Sequence, residues 1–146
     1  LNQRTIKLDS AAAGQVIPFV CRVPWVDGAW NGDLQAVGKK SGVYLILSRD
    51  SGDPLYAGSS ISGKLRKIAT RHFQRWDREK QNYRFGDDTG VTVDRSRSLV
   101  GVAIVQSKDL ALEVEAELIL ELVTRYNYNI PPGIEVAEDD LEDVPF

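Results

Sequence analysis

Apolar residues along this chain recur with two periods, and the switches between them mark the elements. QVIPFVCRV (15–23) reads as a strand, and PWVDGAWNGD then breaks regularity with Pro, Gly and Asn. SGVYLILSR (41–49) is a β-rich apolar run, DSGD is turn chemistry, and PLYAGSS follows as the return strand of a hairpin. Over 64–80, KLRKIATRHFQRWDREK, the period changes: Leu65, Ile68, His72 and Trp76 recur at steps of three and four, which predicts a helix. A polar loop with Gly and Asp leads to SLVGVAIVQ (98–106), a third strand of this part of the chain. From Asp109 as N-cap a second helix is expected to run to about Arg125, stopped by Asn127 to Gly133 with Pro131 and Pro132. Residues 1–14 read as a frayed lead-in, and 135–146 as a mobile acidic end.

The second helix contains an anomaly. On a wheel of about 100° per residue, Ala111, Val114, Leu118, Ile119, Leu122 and Tyr126 form one apolar arc. Glu113, Glu117 and Glu121 fall on the opposite side or its margin, where solvent suits three like charges. Glu115 points into the arc, between Ala111, Ile119 and Leu122. A buried carboxylate is costly unless it is neutral, paired or bound to a metal. An arginine partner from the first helix is the bland explanation, and a functional site is the sharper one.

Composition narrows the setting. The 146 residues, 42% hydrophobic and 27% charged, fit one soluble globular domain. No apolar run is long enough to span a membrane, and no basic-then-apolar start marks a secretory signal. Cys21 is the only cysteine, which excludes an internal disulfide and a thiolate zinc cage and suits the cytoplasm. The net charge of −3 hides an asymmetry. Residues 64–99 hold ten Lys/Arg against five acids, a local +5, whereas residues 109–146 hold eleven acids against Arg125 alone, a local −10. A phosphate-facing middle fits that pattern, and so do two solvated faces.

Two tripeptides, Gly42-Val43-Tyr44 and Tyr56-Ala57-Gly58, are separated by eleven residues. Glu115, Leu118-Ile119 and Tyr126-Asn127 follow in order, with the Asn twelve positions after the Glu. The ordered set resembles the GIY-YIG nuclease superfamily, in particular the nuclease domain of bacterial excision-repair incision proteins. The resemblance covers roughly residues 41–128. It implies an α/β chain of the α+β kind, with a small three-stranded antiparallel sheet flanked by helices. The organisation expected is an N-terminal extension (1–40), a nuclease-like core (41–130) and an acidic tail (131–146).

The activity this resemblance implies is hydrolysis of DNA phosphodiester bonds with one divalent cation. Carried over, Glu115 would ligate Mg²⁺ or Mn²⁺, hard cations suited to carboxylate oxygen. Tyr44 would be the general base or water-orienting phenol, and Tyr56 would position phosphate or water. Gly58 would permit close backbone approach. Strand packing is the ordinary role of such tyrosines. In the family an arginine of the first helix contacts phosphate, commonly ten residues after the second Tyr, which gives Arg66. The match loosens here. The family often places His four residues after that Arg, whereas His72 comes six after Arg66. Arg71 and Arg75 stay as alternatives, and His72 on the apolar face reads first as a packed residue. Asn127 would orient a catalytic group or cap the helix end. Ala57 stands where the family usually has Ile or Val. Trp25 and Trp30 lie outside the resemblance, either packed over the sheet or forming a partner surface.

The chain ends in AEDDLEDVPF. The acids followed by Pro145-Phe146 resemble the acidic tip of bacterial single-stranded-DNA-binding proteins, which implies recruitment of a replication or repair protein. A solubilising tail is the plain reading. The leading expectation is thus a metal-dependent DNA endonuclease, a hydrolase of repair, recombination, restriction or mobile-element context. A noncatalytic adaptor that binds DNA or partners through the same core is the rival, and a packing domain with a Glu115–arginine ion pair stands third.

Overall fold

The strand at Gly42–Ser48 is buried along nearly its whole length, since its sheet has a helix-covered face on either side. The computed structural model describes residues 1–66, 69, 76–77, 82–84, 92–93, 95–124 and 127. The elements are β1 (Gln3–Ser10), β2 (Gln15–Arg22), β3 (Trp25–Val26), β4 (Ala29–Trp30), α1 (Gly32–Val37), β5 (Gly42–Ser48) and β6 (Pro54–Ser60). They continue with β7 (Trp76–Asp77), β8 (Asn82–Arg84), β9 (Thr92–Val93), a 3-10 turn (Arg95–Arg97), β10 (Ser98–Ile104) and α2 (Lys108–Leu122). Leu65, Arg66 and Ala69 are also helical.

The main sheet has five antiparallel strands in the order β1-β2-β10-β5-β6, so the chain is of the α+β kind. The three strands expected from 41–49, 54–60 and 98–106 are neighbours within it. The expected three-stranded size is corrected: β1 and β2 extend the sheet by two strands. Residues 1–14 accordingly are no frayed lead-in. QRTIKLDS has strand period, with Leu8 and Ser10 buried and Ile6 half-buried, while Thr5, Lys7 and Asp9 face out. It pairs with β2 from Gln3↔Arg22 to Ser10↔Gln15. The sheet curls enough for its N-terminal strand to meet the β5–β6 turn. Arg4 donates to the Gly52 carbonyl there. Arg49 donates to the Leu1 carbonyl (2.9 Å) and to Asn2 Oδ1 (2.8 Å).

Strand parity sorts the core into two. Val43, Leu45, Leu47, Ala57 and Leu99 join Leu8, Phe19 and Cys21 under α2, which contributes Ala111, Val114, Leu118 and Ile119. Tyr44, Ile46 and Val100 face the other way, against Leu34 and Val37 of α1 and Leu65 and Ala69 of the helical stretch. Gly42 leaves room for Leu65, since an added Cβ would lie 2.9 Å from Leu65 Cδ2 and would also meet the Ala103 carbonyl.

Both helices expected from periodicity exist with other limits. The first is present at Leu65, Arg66 and Ala69, but Trp76–Asp77 form strand β7 against β8, with Trp76 opposite Tyr83. Aromatic residues favour such cross-strand pairing, and the four-residue spacing to Trp76 suited a helix only by coincidence. Ile68 lies outside the described residues. The second helix is capped two residues earlier than the expected Asp109. Ser107, extended in backbone, is the N-cap and accepts from the Leu110 amide, which leaves Asp109 in the first turn beside the positive helix end. It ends at Leu122, because Val123 turns left-handed (φ 51°) and returns its N–H to the Ile119 carbonyl at 2.9 Å.

Glu117 is a further correction. It is half-buried and accepts from Ser10 Oγ (3.0 Å), Ala11 N (2.9 Å) and Ala12 N (3.2 Å), which ties the β1–β2 turn to α2. Glu113 and Glu121 are exposed, as the wheel places them. Glu117→Ala should therefore cost about 1 kcal/mol, discounted for the exposed amides, while Glu121→Ala should cost almost nothing. Urea unfolding followed by circular dichroism measures both, and equal losses would contradict the role of Glu117 as the turn's acceptor.

Candidate active site around the edge strand β6

Strand β6 is the last of the sheet, and residues of both its faces gather near Gly58. Gly58 lies opposite Tyr44 on β5. An added Cβ at Gly58 would overlap the Tyr44 phenol, at Cζ, Oη and Cε1 (the last at 2.8 Å). The bare backbone is what lets the Tyr44 ring cross toward the edge of the sheet. The register shifts between Ile46 and Leu47, where Ile46 faces Tyr56 and Leu47 faces Pro54, so Leu55 is an extra residue. That bulge aims Leu55 and Tyr56 together onto the Tyr44 side. The Tyr44 and Tyr56 rings lie with centroids 6.0 Å apart, tilted by 31°. Tyr44 is 2% exposed, and Tyr56 is half-buried. Tyr56 is thus the phenol nearer solvent.

Glu115 approaches from α2, on the opposite face. It is half-buried, and the Ser59 hydroxyl donates to its Oε2. Among the described residues none donates to Oε1. Burial raises the Glu115 pKa above the ordinary glutamate range, and the Ser59 hydrogen bond opposes that rise. Tyr56 is raised as well, first by burial and then by the Glu115 charge, against the hydrogen bond with Tyr44. Glu115 and Tyr56 therefore sense each other around the edge of β6, although they stem from opposite faces.

The Asn127 side chain bonds strand β6 and a residue just after the end of α2. Its Oδ1 accepts from the Ala57 amide (2.8 Å) and from Thr124 Oγ1 (2.7 Å), and its Nδ2 donates to the Ala57 carbonyl (3.0 Å). It pairs with β6 as a further strand would, between Tyr56 and Gly58. Arg66 is exposed and sits beside Leu65, which packs on Tyr44 and Ile46. Arg71, His72, Arg75, Tyr126, Pro145 and Phe146 lie outside the described residues.

Ser59 and Thr124 were not singled out from the sequence. Strand parity carried a signal for Ser59, since it shares a face with Ala57 and that face meets α2. Thr124 had none, because its role depends on where the chain turns after the helix. Cys21 is buried with its thiol pushed up to about 12 by burial, against the charge of Arg4, and is inert. Among the described residues no group of three or more His, Cys, Asp and Glu converges as a metal cluster. Hollows of about 490 and 360 Å³ flank β2 and β10, which share the single register pair Val100↔Arg22, and neither hollow touches the β6 edge. No family model, curated protein or solved structure matches the chain.

The raised pKa of Glu115 has a sign that stability can report. The folded state holds its proton more tightly than the unfolded chain, so its contribution falls as pH rises from the unfolded carboxylate value through the raised folded one. Glu115→Gln, which has no proton to lose and can still accept from Ser59, should melt like the native chain at acid pH. It should melt progressively higher as pH climbs to neutrality. Thermal melts between about pH 4 and pH 8 test this, and a constant gap across that window would contradict it.

Proposed function

We propose that this chain is a metal-dependent DNA endonuclease of the GIY-YIG kind. One observation carries the reading. Glu115, a half-buried carboxylate with one undonated oxygen among the described residues, stands around the β6 edge from the Tyr44–Tyr56 pair. A packing domain needs neither a desolvated acid nor a glycine cleared for a phenol. The contiguous strands β5, β6 and β10 with α2 suit the smaller sheet of that family, to which β1 and β2 are additions.

The donor set fits one hard divalent cation. Glu115 offers carboxylate oxygen, and a single carboxylate suits Mg²⁺, which keeps most of its waters, or Mn²⁺. When bound, such an ion supplies charge neutralisation at the phosphate. The chain's own residues do the rest. Ser59 fixes the Glu115 rotamer. Tyr56, the phenol nearer solvent, orients the attacking water or the phosphate, and Tyr44 beneath it holds that phenol by hydrogen bonding. Of the two roles expected for Tyr44, its burial favours orientation over direct proton abstraction. Arg66, exposed at the start of the helical stretch, meets the phosphate charge. Asn127 keeps the strand between Tyr56 and Gly58 in place. Recruitment of a genome-maintenance partner by the acidic end at Pro145-Phe146 belongs to the same proposal and rests on the sequence alone.

Nicking of supercoiled plasmid in Mg²⁺ or Mn²⁺ is the test. Glu115→Gln should abolish it with the fold intact, and Glu113→Gln, on the exposed face, should cut normally. Arg66→Ala should lower the rate by about 10²–10³-fold, the cost of losing a charged donor at a developing charge. No nicking by the native chain on plasmid, flap, branched or single-stranded DNA would overturn the reading in favour of a binding adaptor. Equal activity of the two glutamate variants would move the metal away from Glu115.

A further inference from the structure

The start of β5 and the end of β6 lie side by side, with Gly42 opposite Ser60 and Val43 opposite Ser59. The two loops just beyond them are bonded together. Leu65 N donates to the Lys40 carbonyl (2.9 Å), and Gly63 N donates to Ser41 Oγ (2.9 Å). Gly63 is left-handed (φ 72°), and an added Cβ there would lie 3.3 Å from the Lys39 carbonyl oxygen. The backbone of 39–41 thus meets the second loop, while Lys39, Lys40 and Lys64 are all exposed. No Asp or Glu occurs in 34–49 or in 54–66, the segments that carry these lysines. Hydrogen bonds and register place them beside the Glu115 site. Lys64 N donates to Ser60 Oγ (3.0 Å), and Ser60 follows Ser59, the hydroxyl partner of Glu115. Lys40 comes three residues before Val43, the residue opposite Ser59, so the Cα atoms of Lys40 and Val43 are at most about 11 Å apart.

We propose that Lys39, Lys40 and Lys64 form a ridge that binds backbone phosphates of the DNA flanking the scissile bond. The proposal rests on the nuclease reading for its substrate, and with Lys39 and Lys40 it adds residues that lie outside the nuclease resemblance. Several arginines show the contrast. Arg4 donates to the Gly52 carbonyl, Arg22 pairs with Asp33, Arg97 pairs with Asp50, and Arg49 bonds Leu1, Asn2 and Ser96. These four fasten segments of the fold to one another. Among the described residues none pairs with the ammonium groups of Lys39, Lys40 or Lys64. Like charges on adjoining loops repel one another, and a polyanion relieves that repulsion. The N–H groups of Gly63, Lys64 and Leu65 are already given to Ser41, Ser60 and Lys40. The loop therefore does not cradle phosphate with its backbone, and recognition falls to the side chains. An ammonium meets phosphate as a point charge and carries no base information, which suits a chain this small.

The test uses the full chain carrying Glu115→Gln, in chelator, so that binding is read without cleavage. Fluorescence anisotropy of a labelled duplex is followed at several salt concentrations. Lys39→Ala with Lys40→Ala should weaken binding about 10-fold, equally on unrelated sequences, and lower the salt slope by about two. Lys64→Ala should lower the slope by about one. Lys39→Arg with Lys40→Arg should keep the slope, because the charge remains. Lys7→Ala removes an exposed cation from β1, at the opposite edge of the sheet, and should change neither quantity. Circular dichroism checks the fold of each variant. Unchanged affinity and slope in the double alanine variant, or losses no larger than those of Lys7→Ala, would overturn the proposal. So would an absence of duplex binding by the parent chain. Binding that depends on the ridge, in a chain whose native form nicks no DNA, would remove the nuclease reading and leave the ridge standing as a DNA contact. Nicking by the native chain with unaltered binding by the ridge variants would do the reverse.

Discussion

The Tyr44 ring rests against the bare backbone of Gly58, and much of the candidate site follows from that close approach. Tyr44 belongs to a strand buried on both faces, so its side chain is fixed by packing against Leu34, Val37 and Leu65. A phenol so placed would ordinarily be a core residue with its hydroxyl turned to the nearest acceptor. Because β6 carries no side chain at 58, the ring instead extends to the sheet edge and meets Tyr56. The bulge at Leu55 completes the arrangement by turning Tyr56 to the same side. Bulges at an edge strand commonly re-aim a side chain in this manner.

A second constraint comes from the opposite face. Helix α2 must bury Ala111, Val114, Leu118 and Ile119 against β5 and β6, and that packing carries Glu115 to the rim of the core. The carboxylate keeps a hydroxyl partner but loses much of its water, so its proton is held more tightly than usual. Such a group is a cost to the fold that a bound cation would relieve. The β6 edge is meanwhile closed to further strand pairing at Ala57 by Asn127, which occupies both of its peptide groups. An edge whose peptide groups are already occupied is less open to pairing with another chain.

The N-terminal forty residues divide into two structural tasks. Strands β1 and β2 enlarge the sheet and shield Phe19, Cys21 and Leu8 beneath α2, with Glu117 fastening their turn. Gly101 on β10 allows this approach, since an added Cβ would lie 2.8 Å from Cys21 Sγ and 3.2 Å from the Val20 carbonyl. Hairpin β3–β4 and α1 cover the other face, joined through Asn31, whose side chain caps α1 at the Leu34 amide (2.9 Å) and donates to the Val23 carbonyl (3.1 Å). An extension that supplies one face with strands and the other with aromatics is an integral part of the sheet.

The sequence by itself determined β2, β5, β6, β10 and the body of α2, because alternation and helical period are local and survive any tertiary context. It also marked Glu115, since a carboxylate on an apolar arc is visible from spacing alone. The frayed reading of 1–14 failed because an edge strand buries only alternate residues, and three inward positions (Ile6, Leu8, Ser10) make a faint signal. The end of the first helix failed because Trp76 satisfies a helical step and a strand pair equally well, and only the presence of β8 decides between them. Which hydroxyl meets Glu115, which peptide Asn127 occupies and which arginine lies on Trp25 were decided by tertiary structure. Those contacts join residues 56, 70 and 70 positions apart, or a turn near 95 to a hairpin near 25. No local period encodes them, because each depends on how far the sheet curls and where its helices come to rest.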